Sequence, residues 1–239
     1  MPVNAPFTIH RVSTTDIHVS PEALDFERNH ADAIGANWRA ASAAQPALFN
    51  GTVHLCASAG VNGDALTATC YAVCFATLLY WRRQTDKAGL RNTFGDVILR
   101  GSDGAVLLGR MAGHTANAGR WCLPGGSFDQ NDVVDGRIDP AGCIGRECAE
   151  ETGLQPGDYS LDPHLLVYRD DRVVAYSQVA TLHSSSDEAR ARVLRFLDSD
   201  PASELEDIRL MRSVADAEAL IPDTYEARLI AHVFSEDAR

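Results

Sequence analysis

The chain has no Cys-x-x-Cys pair, no internal repeat, no low-complexity tract and no excess of positive charge over its 239 residues. Each shortage removes a class of function. Six cysteines, at positions 56, 70, 74, 122, 143 and 148, fall in no regular framework, so reduced thiols in a cytoplasmic protein are expected rather than disulfides. Twenty-one basic against thirty-three acidic side chains give a net charge of −12, which argues against a nucleic-acid backbone or an anionic membrane as partner. An anionic small molecule would then need a metal ion or a local arginine cluster to bind. The N-terminus lacks a basic segment followed by an apolar core, so no secretory signal is expected. Ala65 to Trp81 is an uncharged run of seventeen residues, at the lower limit of a membrane span, but its three threonines and two cysteines favour a buried strand or helix.

What is present divides into two parts. Residues 1–92 read as a small α+β leader region and 93–239 as the main domain, with Lys87 to Thr93, polar and glycine-containing, as the linker. In the leader, residues 1–20 suit an irregular arm or edge strand. Pro21 to Ala44 suits a helix capped by Ser20 and closed by Pro46, and Thr52 to Leu55 a strand between the turns Phe49-Asn50-Gly51 and Asn62-Gly63-Asp64. In the main part, 95–100 and 104–110 read as a hairpin. Leu165 to Tyr168 and Val173 to Ala180 read as strands, and Glu188 to Leu197 and Tyr225 to Phe234 as helices.

The most informative segment is Arg146-Glu147-Cys148-Ala149-Glu150-Glu151-Thr152-Gly153. Asp139 before Pro140 is an N-cap followed by proline at the first helical position, and Gly153 suits a left-handed stop, so a helix is expected over 140–152. It would carry Glu147, Glu150 and Glu151 at i, i+3 and i+4 on one face. Like charges at these spacings cost an isolated helix roughly 0.2–0.5 kcal/mol per pair. Hard cations of the Mg²⁺ or Mn²⁺ type want such oxygens and carry substrate phosphates in their remaining positions. Cys148, on the apolar side, reads as buried filler. Upstream, Pro124-Gly125-Gly126 is a tight turn whose glycines let a backbone carbonyl approach the same ion.

These residues resemble the signature of the Nudix hydrolases: Gly, five residues, Glu, seven residues, then Arg-Glu-apolar-x-Glu-Glu-x-Gly-apolar. Arg146 to Leu154 matches every fixed position of the second half, and six fixed residues arise by chance in only about a few per million chains of this length. The first half departs. The sixth residue after Gly126 is Asp132 rather than Glu, and thirteen residues rather than seven separate it from Arg146. Counting back from Arg146, the Glu slot falls on Ile138. A six-residue insertion is expected, forming a mobile surface loop between Gly126 and Asp139 in which Asp132 is dispensable.

The resemblance implies a Nudix-type α/β/α sandwich with a mixed sheet behind the α+β leader. It implies divalent-cation-dependent attack of water on a nucleoside diphosphate linked to another moiety. Glu147, Glu150, Glu151 and the Gly125 carbonyl would be metal ligands, Glu150 the alternative base and Arg146 an orienting partner of a carboxylate. Arg110 and Arg120, flanking the loop before the Pro-Gly-Gly turn, would grip phosphates. A further downstream acid is expected among Asp187, Glu188, Glu204 and Glu206, with His183 nearby. In the leader, Trp38, the segment Pro46 to Gly51 and Leu66-Thr67 with Tyr71 are similar to the leader of Nudix enzymes that split UDP-sugars, which points to UDP-glucose or UDP-galactose. ADP-ribose, a dinucleotide, or a Nudix-like ligand sensor are the alternatives. The partner is a small nucleoside diphosphate derivative, and a homodimer is compatible with the sequence.

Overall fold

The computed structural model describes residues 6–236. In chain order the leader contributes β1 (Thr8–Val12), β2 (Thr14–Ser20), α1 (Asp25–Asn29), α2 (Ala31–Ala44), β3 (Thr52–Asn62), β4 (Ala65–Cys74) and α3 (Phe75–Arg83). The main part follows with β5 (Arg91–Arg100), β6 (Val106–Met111), β7 (Trp121–Cys122), β8 (Gly125–Ser127), a 3₁₀ turn at Gln130–Asp132, β9 (Val133–Val134), β10 (Arg137–Ile138) and α4 (Pro140–Thr152). After these come β11 (Tyr159–Arg169), β12 (Val173–Leu182), α5 (Ser186–Ser199), β13 (Leu205–Met211), α6 (Val214–Leu220) and α7 (Tyr225–Glu236).

One mixed sheet links all the strands, in the order β1-β11-β12-β5-β3-β4-β2-β10-β9, with β6, β7, β8 and β13 branching from β5 and β6. β12 runs parallel to β5 and β2 parallel to β4; the remaining pairs are antiparallel. Alternation along β5 sends Val97 and Leu99 to one face and Ile98 to the other, as the two-residue period of a strand requires. Cys143, Ile144 and Cys148 of α4 and Val193 of α5 cover the first face, and Ala217 of α6 with Leu229, Ile230 and Val233 of α7 cover the second. This is an α/β/α sandwich.

The leader shares that sheet. β1 pairs along β11, β3 meets β5 at Leu55–Asn92 and Cys56–Arg91, and Ile17, Leu66 and Cys70 belong to the core beneath α4. The expected linker is a turn ending at buried Leu90, and residues 91–93 already belong to β5. The run from Ala65 to Trp81 is both expected elements in succession, β4 and then α3. No helix among the described residues is long and apolar enough to cross a membrane.

Three expectations are corrected. Of the helix expected over 21–44, residues 25–44 form two helices that break at His30, whose backbone (φ −119°, ψ 16°) leaves the helix while its ring packs tilted against Phe26. The β5–β6 hairpin shares only the pair Arg100–Val106, because β6 takes β13 as its long partner. The insertion after Gly126 is a formed hairpin, β9–β10, turning at Asp135 and Gly136, both with positive φ. It docks on the leader: Arg137 pairs with His18 of β2, and the Val19 amide donates to the Gly136 carbonyl at 2.9 Å. Backbone pairing with β2 is the reason it is an edge of the sheet and not a loose loop.

Candidate active site

α4 begins and ends where its caps dictate. The Asp139 carboxylate accepts from the Gly142 amide at 3.1 Å, Pro140 opens the helix, and Gly153 closes it in the left-handed region at φ 69°. The three glutamates therefore share a face but not an environment. Glu151 is buried, the Glu147 side chain is 15% exposed, and that of Glu150 is 59% exposed.

Arg146 organises this face. Its guanidinium donates to Glu147 at 2.9 Å, to Glu150 at 3.1 Å, and to both carboxylate oxygens of Asp132 at 3.2 and 3.0 Å. Burial works against the charge, and Glu147 and Asp132 more than restore it, so the arginine stays protonated. Asp132, expected in a mobile loop, is instead held in place. Only 4% of its side chain is exposed, and it also accepts from the Asp129 amide at 2.9 Å. The Asp139 amide donates to the Asp132 carbonyl at 2.8 Å, so the chain leaves at 132, makes its hairpin and returns beside the point of departure. Ile138, which simple counting put in the acidic slot, lies in the core. The insertion is thus looped out between Asp132 and Asp139, and Asp132 meets Arg146 at its base.

The glycine turn meets the helix at two close approaches. The Gly125 amide donates to the Glu151 carboxylate at 2.8 Å, and a Cβ on Gly125 would collide with the Gly95 carbonyl. A Cβ on Gly126 would collide with the Glu147 carboxylate. From behind, the leader's His54 donates through Nδ1 to the Phe128 carbonyl at 2.9 Å and steadies the end of β8. Burial, opposed by Arg146 and reinforced by Glu150 and Glu204, pushes Glu147 up to about 7. Glu151 is held well above the usual carboxylate range by burial, against the Gly125 hydrogen bond, and by the charges of Glu147, Glu204 and Glu150. Among the four downstream acids, Glu204 is the one whose charge reaches Glu147 and Glu151. Asp187 pairs with Arg212 at 2.8 Å, Glu188 caps α5 through Ser185, and Glu206 pairs with Arg110 at 3.2 Å. His183 contacts Ser160 at 3.1 Å.

A cavity of about 410 Å³ opens beside Gly125, Gly126 and Ser127. Arg120 lines it, with Arg172 and, from the leader, Trp81, Arg82 and Lys87. Arg110 does not; it points to Glu206 instead. Phe94 and Tyr225 form an edge-on aromatic pair in the wall, with ring centroids 5.3 Å apart, and the Tyr225 hydroxyl donates to Asp96 at 3.1 Å. Burial pushes Asp96 up to about 7. No sequence signal marked Arg82 or Asp96, because both are brought here by sheet topology rather than by a motif. The leader residues that suggested a uracil nucleotide lie elsewhere. Phe49 is 83% exposed, Asn50 accepts from the Ala76 amide in α3 at 2.8 Å, Leu66 is core, and Tyr71 packs in the leader's own apolar cluster.

The donor set suits a hard divalent cation: all oxygen, with two carboxylates raised by burial and mutual repulsion that a cation would relieve. Among the described residues no three acidic, histidine or cysteine side chains converge on one point. The reason is visible in the pairing, since Glu147 and Glu150 turn to Arg146 while Glu151 turns to Gly125. All six cysteines are free, and Cys148 is core filler.

An α/β/α sandwich that presents an arginine-organised glutamate helix against a glycine turn is a Nudix fold with the second half of its signature in place. The Nudix domain model matches residues 90–226, and the chain belongs to the Nudix family of hydrolases. Solved structures similar to it include the Ap4A hydrolase of C. elegans in a binary complex, at 14% identity and TM-score 0.41, covering 62% of this chain and 97% of that one. A MutT protein from Methanosarcina mazei Go1 matches at 20% identity and TM-score 0.39, covering 62% and 96%. The Nudix domain of Shewanella oneidensis NrtR, complexed with ADP ribose, matches at 16% and 0.39, covering 66% and 97%. No curated protein matches the chain.

Proposed function

We propose that residues 93–239 carry the chemistry, with 1–92 as a leader built into the same sheet. The reaction is divalent-cation-dependent hydrolysis of a nucleoside diphosphate linked to a second moiety. The observation that carries this reading is the Arg146 hub, which holds Glu147, Glu150 and Asp132 while Glu151 is tied to Gly125, next to a cavity of nucleotide size.

Glu147, Glu150, Glu151 and the Gly125 carbonyl would hold Mg²⁺ or Mn²⁺, with Glu204 as the further acid. When bound, such an ion neutralises phosphate oxygens and lowers the pKa of a coordinated water. The chain's own residues do the rest. Arg146 fixes the rotamers of Glu147 and Glu150, and the Gly125 amide fixes Glu151. Glu150, the most exposed of the three, is the carboxylate able to take a proton from the attacking water. Arg120 steadies the phosphates from the cavity side. Water adds to one phosphorus, the bridging oxygen leaves, and the products are a nucleoside monophosphate and a phosphorylated remainder.

UDP-glucose is the first nucleotide sugar to test, because the leader's sequence likeness singles it out, although the residues of that likeness do not line the cavity. The test is a phosphate-release screen over UDP-glucose, UDP-galactose, ADP-ribose, dinucleoside polyphosphates, NADH and nucleoside triphosphates, with Mg²⁺ and with Mn²⁺. A uracil-reading site should give UDP-glucose a kcat/KM tenfold or more above ADP-ribose, roughly 1.4 kcal/mol. The reverse order transfers the substrate to ADP-ribose, and no turnover of any member sinks the hydrolase reading.

A further inference from the structure

Several arginines in this acidic chain find carboxylates. Arg110, Arg137, Arg146, Arg190, Arg192 and Arg212 each sit in an ion pair. Two that line the cavity are among those that do not. Arg82, in the last turn of α3, and Arg120, at the end of the loop after β6, both line it and lie within electrostatic reach of each other. Among the described residues neither makes an ion pair. The acid that feels Arg120 is Glu226, a buried residue that also lines the cavity.

Both arms are held in place. The Lys87 ammonium donates to the carbonyls of Trp81 and Arg82 at 3.1 and 3.0 Å and lies over the Trp81 ring, so the end of α3 is fixed where Arg82 leaves it. The loop that carries Arg120 is clasped by the leader, because the Gln45 side-chain amide donates to the carbonyls of His114 and Thr115 at 2.7 and 2.8 Å. Two like charges held at one cavity repel until an anion arrives between them. A guanidinium presents a rigid fork of donors that matches phosphate oxygens, and two forks from different walls suit adjacent phosphates.

We infer that Arg82 and Arg120 form a two-armed clamp for the phosphate oxygens of the nucleoside diphosphate, so that the leader supplies half of the substrate's anion site. This rests on the function proposed above for its nucleotide, but not for its anion. Phe94 and Tyr225 give the same cavity an aromatic wall, which suits a nucleotide over a free inorganic anion.

The test is calorimetric titration of the full chain with inorganic pyrophosphate and with ADP in EDTA, alongside steady-state kinetics in Mg²⁺ with whichever nucleotide is turned over. Arg82→Gln and Arg120→Gln should each weaken binding of both probes about tenfold and raise KM about tenfold with kcat within about twofold, the pattern of a ground-state contact. Arg83→Gln, whose guanidinium donates to Asn37 instead, should change neither. Arg82→Lys should recover part of the affinity by restoring charge without the fork, and added salt should weaken binding less in the double variant than in the parent. Unchanged probe affinity in Arg82→Gln, an equal loss in Arg83→Gln, or no binding of either probe by the parent protein overturns the clamp. If no nucleotide is hydrolysed yet probe binding still requires both arginines, the clamp stands and the hydrolase reading falls.

Discussion

Replacing Asp132 by Asn separates the structural reading of the insertion from the sequence reading, under which the residue is dispensable. The change keeps size and the acceptor for the Asp129 amide, and removes one unit of charge from a side chain only 4% exposed. Deleting one partner of a fully buried ion pair costs about 3–5 kcal/mol. Arg146 is 30% exposed and keeps Glu147 and Glu150, so the loss here scales down to about 1–3 kcal/mol. In a chain of this size that is a fall in Tm of roughly 2–12 °C. Activity should fall by about tenfold or more, because an Arg146 drawn toward the two remaining glutamates turns them away from a cation. Asp135→Asn, at the exposed tip of the same hairpin with φ 49°, is the control, since Asn tolerates that backbone and no partner is lost. Thermal unfolding and phosphate release are measured on both variants. If Asp132→Asn is as harmless as Asp135→Asn, Asp132 is not the acid that completes the signature, and the splice at 132–139 has been misread.

Further outcomes follow from the same geometry. Glu150→Gln and Glu151→Gln should each lower kcat by at least about a hundredfold with circular dichroism unchanged, since charge leaves the cation site without opening a cavity; unchanged turnover in both would remove the metal assignment. Glu147 and Glu151 are raised above their unfolded values, so without divalent cations stability is greatest below about pH 4.5 with respect to these groups and is lost as pH rises through their folded values, near 7 for Glu147. Denaturant titrations in EDTA should therefore show Glu151→Gln gaining on the parent between pH 5 and 8, and millimolar Mg²⁺ should stabilise the parent more than the variant; a variant that loses ground with pH contradicts the assignment. Gly126→Ala drives a Cβ into the Glu147 carboxylate, so kcat should drop with modest loss of Tm, because a side chain rather than backbone has to move. Wild-type kinetics in that variant would mean Glu147 is not needed where it stands.

Much of this protein was legible in local order. The α4 helix, with Asp139, Pro140 and Gly153 as its punctuation, was readable because capping is decided within a few residues of chain, and the shared face of three glutamates follows from helical spacing alone. The strands β11 and β12 and the helices α5 and α7 were likewise announced by apolar periodicity. Partnership was not readable. β6 pairs with β13, nearly a hundred residues on by position, and not along β5; the insertion joins β2 from the leader; and Asp132 reaches Arg146 only because a hairpin folds out between them. Nor did spacing reveal that Arg110 is taken by Glu206 while Arg82 lines the same cavity as Arg120. Motifs are fixed by contacts between residues near in sequence. Which strand edges meet, and so which charges share a cavity, is settled by burial of the whole sheet between its helices, a many-residue balance that no short stretch of chain records.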